Sequence, residues 1–369
     1  MSVVLGLDWS AAATHAPGVG RFGRELVRAF VRGAGAGVEV ALFEQGRVQR
    51  LPRAMLGLDG PDVVRAPRVH RVWRLPKRLI APLVSTLGAD RIVGGCDVFL
   101  RAQPRAPRVA RARTAWAISQ WPAQGPASDD AAAAREFRLD LAANDLLLVF
   151  AACAAERLVA EFGVARERVL VLPVGADHWL RDASVLASAS EPRSVVVLGA
   201  VEARREPVAV LEAFERVHAQ GLAQRLHFVG RRGDAAEDLA RALGFSSVRR
   251  DVTWTDEPVE ADLPAIVAGA AALVHVATGE ATAVTPLEAL TFGVPVVVSD
   301  TPEFREALGA LAEYPAPSTP RRRGAAIAQA LERALVSSDD SASRANRRAL
   351  AAPFTWRACA DAVARAVSG

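Results

Sequence analysis

Lysine is almost absent from this chain. Of its 45 basic residues all but Lys77 are arginine, a bias that a GC-rich genome accounts for without any arginine-specific chemistry. Cysteine is scarce too. Cys96, Cys153 and Cys359 are odd in number and never fall at metal-ligand spacing. That excludes a disulfide framework and a cysteine zinc site, and it fits a reduced, cytoplasmic protein. The six histidines are scattered with no HxxxH pair, so no zinc or other metal is expected. Aromatics make up only 6% of the residues, and alanine and valine carry much of the apolar content, which suits α/β layers better than a β-sandwich. No GxxxxGK[ST] sequence is present, which excludes a P-loop. Long apolar runs are missing as well. The longest uncharged stretch, Leu263–Gly279, contains Pro264 and His275 and is too short and polar to span a bilayer. The start, Met1 to Asp8, lacks the basic n-region of a signal peptide.

What is present is length and alternation. A chain of 369 residues accommodates two domains, each large enough to bury its own core. Short apolar runs read as buried strands at Val3–Asp8, Val38–Phe43, Cys96–Leu100, Thr114–Ile118, Asp145–Ala151 and Arg168–Pro173. The series continues with Ser194–Gly199, Leu226–Gly230, Val248–Trp254, Ala271–Val276 and Val294–Ser299. Helical patterns lie between them, among them Ala155–Phe162, Pro207–Gln220, Asp234–Gly244, Asp262–Ala268 and Pro286–Thr291, with Arg321–Val336 and Thr355–Val367 at the end. Strands alternating with helices predict parallel sheets covered on both faces. The stretch 47–113, with seven prolines as breakers, reads as irregular outside its two strands. The polar, strand-poor stretch around 176–192 marks a linker. The expected organisation is 1–178 as an N-terminal Rossmann-like domain, 179–193 as linker, 194–352 as a second such domain, and 353–369 as a C-terminal helix.

Charge is unevenly spread. Residues 1–178 hold 24 Lys and Arg against 17 Asp and Glu, and the remainder 21 against 24. The excess comes from 47–113, with 15 basic residues against Asp59, Asp62, Asp90 and Asp97. Such a patch is either a solvated face or a site for an anionic partner. Trp73, Trp116 and Trp121 lie near it, but no nucleic-acid module accompanies them, so a membrane surface or anionic acceptor is the functional expectation and nucleic acid is not.

Two motifs carry chemistry. Gly18-Val-Gly20-Arg21-Phe-Gly23 matches GxGxxG, with Glu39 near the acidic position of a dinucleotide fold. The nine residues Trp9–Pro17 separate it from its strand, however. A glycine loop ahead of a helix N-terminus, suited to phosphate, is the better reading, with a plain loop–helix turn as the alternative. The second motif runs from Glu280 to Glu288 and on through Gly293-Val-Pro295. Its first carboxylate follows a strand and its second lies about a turn inside the next helix. Both sit where the carboxyl ends of strands face a ligand crevice, and both types of residue accept from sugar and ribose hydroxyls.

Glu280 to Pro295 resembles the E-x7-E signature of retaining glycosyltransferases of family 4, which have the GT-B fold. Further stretches fall in that family's order: Gly18–Arg21, Val171–Asp177, Leu198-Gly199 through Arg205 to Phe214, Phe228–Gly230 and Phe354–Trp356. The resemblance implies an α/β protein of two Rossmann-like domains facing a cleft, with the C-terminal helix crossing back to the N-domain. It implies that Glu288 holds ribose, that Glu280 contacts the donor sugar as the catalytic carboxylate, and that Val284 and Thr285 offer backbone N–H groups near phosphate. Arg205, with Arg204 and Gly199 beside it, falls where the family neutralises the diphosphate, and Arg21 is a further candidate cation. The chain departs from the family at Ala200 (arginine there), at Arg205 (lysine), at Ala281-Thr282-Ala283 (Gly-Phe-Gly) and at Ser119-Gln120 (His-Asp). The implied function is transfer of a sugar from a nucleotide-diphosphate sugar to a glycan, lipid-linked or small-molecule acceptor with retention. No cofactor is implied, and the location is cytoplasmic, with peripheral contact at the inner membrane face through 47–113. The alternative is a non-catalytic homologue that binds a glycan or nucleotide or supports a partner transferase.

Overall fold

The protein is described from a computed structural model that covers residues 2–10, 12, 19–43, 56–69, 77–103, 107–122, 130–181, 193–337 and 340–369. It divides into two compact units, Met1–Gly175 with Thr355–Gly369, and Ala176–Phe354. The expected linker 179–193 lies largely outside the described residues.

The first unit holds a seven-stranded, all-parallel sheet. Its strands are β1 (Val3–Asp8), β2 (Val38–Phe43), β3 (Arg68–Val69), β4 (Val98–Arg101), β5 (Arg113–Ala117), β6 (Leu146–Val149) and β7 (Val169–Val171). They lie in the order β3-β2-β1-β4-β5-β6-β7. β4 and β6 are buried along their whole length, as continuous apolar runs must be when helices cover both faces. Helix α1 (Val19–Val31) follows β1. Phe43 and Phe99 meet edge to face beneath α2 (Lys77–Leu87) and α3 (Ala89–Ile92), with Val84 and Val93 in the same core. The unit is completed by α4 (Asp130–Ala142) and α5 (Ala152–Phe162).

The second unit repeats the plan with β8 (Ser194–Leu198), β9 (Arg225–Val229), β10 (Val252–Thr255), β11 (Ala272–His275), β12 (Val296–Val298) and β13 (Ala312–Glu313). All pairs are parallel, in the order β10-β9-β8-β11-β12-β13. Both sheets therefore share the doubly wound order, in which chain direction across the sheet reverses beside the first strand. Helix α6 (Pro207–Ala219) starts on proline, whose missing N–H costs nothing at that position. It buries Val210, Leu211, Phe214 and Val217 and packs on α11 (Arg323–Val336). The remaining helices are α7 (Ala236–Phe245), α8 (Leu263–Ala268), α9 (Val284–Thr291), α10 (Pro302–Leu308) and α12 (Ser341–Ala351).

The last helix, α13 (Trp356–Ser368), belongs to the first unit. Its Asp361 accepts from the Gly35 N–H at 2.7 Å, and Trp356 lies 6.0 Å from Phe22 between ring centroids. The crossing-back helix expected of the fold is thus present.

Several local expectations give way. The stretch 47–113 is less irregular than its prolines suggested, for besides the expected β4 it contains β3, α2 and α3, and Pro82 lies inside α2. Within that helix Ser85 and Thr86 hydroxyls both donate to the Pro82 carbonyl. The expected strand Val248–Trp254 begins only at Val252, after a 3-10 turn over Arg249–Asp251. Helix α7, expected over Asp234–Gly244, starts at Ala236 and runs one residue past Gly244, to Phe245.

Candidate functional site

In a doubly wound sheet the loops after the first and fourth strands part to opposite faces and leave a crevice. In the second unit those strands are β8 and β11. β8 runs into Gly199, whose N–H donates to the Val229 carbonyl at 2.9 Å. Gly199 has φ +134 and Gly230 φ +152, both in the region that favours glycine. A Cβ on Gly230 would overlap the Gly199 carbonyl, and one on Gly199 would stand 2.9 Å from the Arg205 guanidinium carbon. The bare backbone thus makes the seat on which Arg205 lies.

A 3-10 turn over Ala203–Arg205 follows, anchored by the Ala203 N–H on Asp234 Oδ1 at 2.7 Å. Glu206 leaves it in the left-handed region, φ 49 and ψ 46, and pairs with Arg323 at 2.6 Å. A non-glycine residue held there stores strain, of the kind that clusters at functional sites. The loop after β11 is tied to this turn by the Thr278 N–H, which donates to the Arg204 carbonyl at 2.9 Å, and to the end of β12 by the Ala277 N–H, which donates to Ser299 Oγ at 2.8 Å.

The side chains between these loops form a charged cluster. Arg204 Nη1 donates to Glu280 Oε2 at 2.8 Å and Arg204 Nε to Glu202 Oε2 at 2.7 Å. Arg205 Nη2 lies 3.5 Å from Glu280 Oε2. Burial works against the charge on Arg204, but Glu280 and then Glu202 outweigh it and hold the group above the ordinary arginine range. Burial lowers Arg205, offset in part by Glu280. Arg205 Nε is buried with no hydrogen-bond partner among the described residues, so the cluster carries a spare donor. His275 ends β11 with its Nδ1 3.3 Å from Arg205 Nη1. Burial, then the charges of Arg205 and Arg204, push its pKa well below the usual histidine value, so the ring is neutral.

Helix α9 opens beside Glu280. Val284 and Thr285 stand in its first turn, and its N-cap, Ala283, makes no side-chain cap; such a turn presents N–H groups and a positive dipole end. Glu288 follows within the helix and is fully buried, with one oxygen 3.3 Å from His178 Nε2. His178 comes from the 3-10 turn Asp177–Arg181, where Trp179 stacks on Phe292.

The structure therefore brings Gly199, Arg204, Arg205 and Glu280 together, with Val284, Thr285 and Glu288 on the adjoining helix. Of the glycine motif, the structure describes only the part that opens α1. Gly20 and Arg21 already lie in α1, Arg21 is fully buried, and Gly18 falls outside the described residues. Ser119 and Gln120 follow β5, half-buried and exposed respectively. Sequence reasoning missed Glu202, His275 and His178. For His275 a signal existed, since it stands at the carboxyl end of an expected strand; the His178–Glu288 contact spans 110 positions and had none. Among the described residues no group of three or more His, Cys, Asp or Glu side chains is placed to hold a metal ion.

The basic stretch is partly spent on internal contacts. Arg65 donates to the Val38 carbonyl, Arg68 pairs with Glu39 at 2.8 Å, and Arg108 donates to the Ser85 carbonyl at 2.6 Å. Arg101 is buried against Asp140 and over the Trp116 ring. Trp116 and Trp121 are core residues, and Trp73 lies outside the described residues. Among the described residues no helix is long and apolar enough to cross a membrane.

Comparison with known proteins adds relatives. Residues 192–337 match the family described as glycosyl transferases group 1. The serotype-specific mannosyltransferase WbdA of Escherichia coli is 26% identical over 124 residues, 33% of this chain and 15% of that protein. The match thus spans about a seventh of the length of that relative. Two solved structures resemble the whole chain with a TM-score of 0.70 each. Sucrose-phosphate synthase from Thermosynechococcus elongatus is 15% identical, covering 99% of this chain and 98% of its own. Anabaena HepE, solved with UDP and glucose, is 14% identical and covered fully in both directions. The fold is the GT-B fold of these structures, and residues 192–337, which carry the arginine and glutamate cluster at the switch point, are the part that resembles glycosyl transferases group 1.

Proposed function

We propose that the protein is a retaining glycosyltransferase that moves a sugar from a nucleotide-diphosphate sugar to a glycan, lipid-linked or small-molecule acceptor. The observation that carries this reading is the Arg204–Arg205–Glu280 cluster at the β8/β11 switch point, with the open first turn of α9 beside it. Breaking a sugar–phosphate bond leaves charge on the departing diphosphate. Fixed arginine donors and helix N–H groups stabilise that charge without a metal or cofactor. Arg205 has a spare buried donor for such an oxyanion, and Arg204 supplies the second cation that Ala200 does not. Glu280 contacts the sugar, and Glu288, deeper in α9, holds the ribose. HepE, with 14% identity, was solved with UDP and glucose, which favours a nucleotide-sugar donor here. The exposed arginines of 47–113, Arg91 and Arg111 among them, supply an anionic membrane surface or acceptor with partners, and the chain works at the cytoplasmic face.

The test is release of nucleoside diphosphate from UDP-, GDP-, ADP- and dTDP-sugars with a panel of lipid-linked and glycan acceptors. Acceptor-dependent release from one donor, abolished in Glu280→Ala and giving a product of retained configuration, is expected. Donor binding without release under any acceptor condition would favour the non-catalytic homologue instead.

A further inference from the structure

His275 has no role in the reading so far, yet its surroundings give it one. Arginine has only N–H donors, so the 3.3 Å approach of Arg205 Nη1 to His275 Nδ1 makes Nδ1 the acceptor. The neutral ring then carries its proton on Nε2. That nitrogen stands 4.0 Å from Glu280 Oε2, with the imidazole side chain 2% exposed. The ring packs edge-on against Phe304, centroids 5.8 Å apart, which keeps it from turning.

Glu280 at present takes a hydrogen bond from Arg204 at 2.8 Å and pairs with Arg205 at 3.5 Å. A diphosphate competes for those same guanidinium groups, because charge-assisted bonds to phosphate are among the strongest an arginine makes. The Glu280 side chain is only 12% exposed, and a carboxylate so placed is costly to leave without a donor. Resting on the donor-site reading above, we propose that His275 is a positioning residue that holds Arg205 through Nδ1 and gives its Nε2–H to Glu280 while the arginines engage the donor diphosphate. The neutral ring suits both tasks: protonation would turn Nδ1 into a donor facing a guanidinium. The pair of contacts also keeps the diphosphate cation and the sugar carboxylate at a fixed separation.

The experiment titrates the wild-type chain, His275→Ala and His275→Asn with UDP, GDP, ADP and dTDP and with the matching monophosphates. Imidazole ¹⁵N spectra are recorded with and without the diphosphate that binds. In Asn the side-chain oxygen accepts where Nδ1 did. His275→Ala is expected to weaken diphosphate binding at least about tenfold while monophosphate affinity changes less than about twofold. His275→Asn is expected to recover most of the diphosphate affinity. In the wild type, Nε2 carries the proton and its signal moves when the diphosphate is added. If His275→Ala does not fold, the asparagine variant and the wild-type spectra still decide. Equal losses for mono- and diphosphate, or a proton found on Nδ1, overturn the inference while leaving the donor site in place. Absence of binding by the folded wild type to every nucleotide overturns the donor-site reading itself, and this inference with it.

Discussion

The two units use one topology for different purposes. In each, the crevice of the doubly wound sheet lies beside the first strand. In the first unit β1 ends in Asp8, whose carboxyl burial raises, and β4 ends in Arg101. Arg101 is consumed locally: its guanidinium meets Asp140 at 3.0 Å and Asn144 Oδ1 at 3.2 Å and lies over Trp116. In the second unit β8 ends at a glycine seat and β11 at His275, and Arg205 retains a donor, Nε, with no hydrogen-bond partner among the described residues. One arginine holds its own fold together; the other is held in place with capacity to spare. Strand order does not distinguish them. The distinction comes from what stands four to seven residues beyond the strand end, in keeping with the rule that function is grafted onto folds.

The largest effect that would sharpen this contrast is at the glycines. Gly230→Ala forces a Cβ into the Gly199 carbonyl at φ +152, and we expect a loss of ~3 kcal/mol or more, or failure to fold, in denaturant unfolding. Gly6→Ala in β1 meets only side chains, Cys96 Sγ at 2.8 Å and Phe99 at 2.9 Å, and should cost less, about 1–3 kcal/mol. Equal losses would erase the special standing of the second seat.

The arginines come next. Arg205→Ala should weaken nucleoside-diphosphate binding roughly 100-fold in calorimetry with little change in unfolding midpoint. Arg101→Ala should do the reverse, costing about 3 kcal/mol because it strands a buried partner, with donor affinity unchanged once folded. A donor defect in Arg101→Ala would break the comparison.

Acid sensitivity is a smaller effect. The folded pKa of His275 lies well below its unfolded value, through burial and then Arg205 and Arg204, with Glu280 as the facing acid. The unfolded chain therefore binds the extra proton. The contribution is fully present above about pH 6.5 and is lost as pH falls below it, by at most ~1.4 kcal/mol per pH unit. Thermal unfolding between pH 7.5 and 5 should show that slope, and His275→Gln should flatten it. The smallest effect is expected for Glu206→Gly. It relieves a strained φ of 49 but gives up the half-exposed Arg323 pair, so stability should change by less than ~1 kcal/mol. A large loss would mean that the Glu206–Arg323 pair, rather than the glycine seat, shapes the turn.

Much of the architecture was legible because it rests on apolar runs. Val3–Asp8 and Val38–Phe43 were read to the residue, and the alternation in the second half gave the Rossmann-like repeat. What failed were elements whose chemistry contradicts their conformation. Lys77–Leu87 hides behind Pro82, which ends most helices but is tolerated in this one. Ser341–Ala351 is mostly polar and buries only Arg347 and Ala351, so no apolar stripe announces it. At the site, Glu280 was visible as a carboxylate just past a strand, whereas Arg204 and Arg205 were found through the family resemblance. His275 was counted as one of six scattered histidines, because only the tertiary fold puts it against Arg205. Of the glycine motif, Gly20 and Gly23 lie in the opening turns of α1, and Gly18 lies outside the described residues.

The measurement that tests the central claim most directly is calorimetric titration of the full chain with UDP-, GDP-, ADP- and dTDP-sugars, set beside Arg205→Ala and Glu288→Ala. The account predicts saturable binding of one donor by the wild type, lost in both variants while their folds persist. Donor binding that survives in both variants, or no donor binding by the folded wild type, would contradict it.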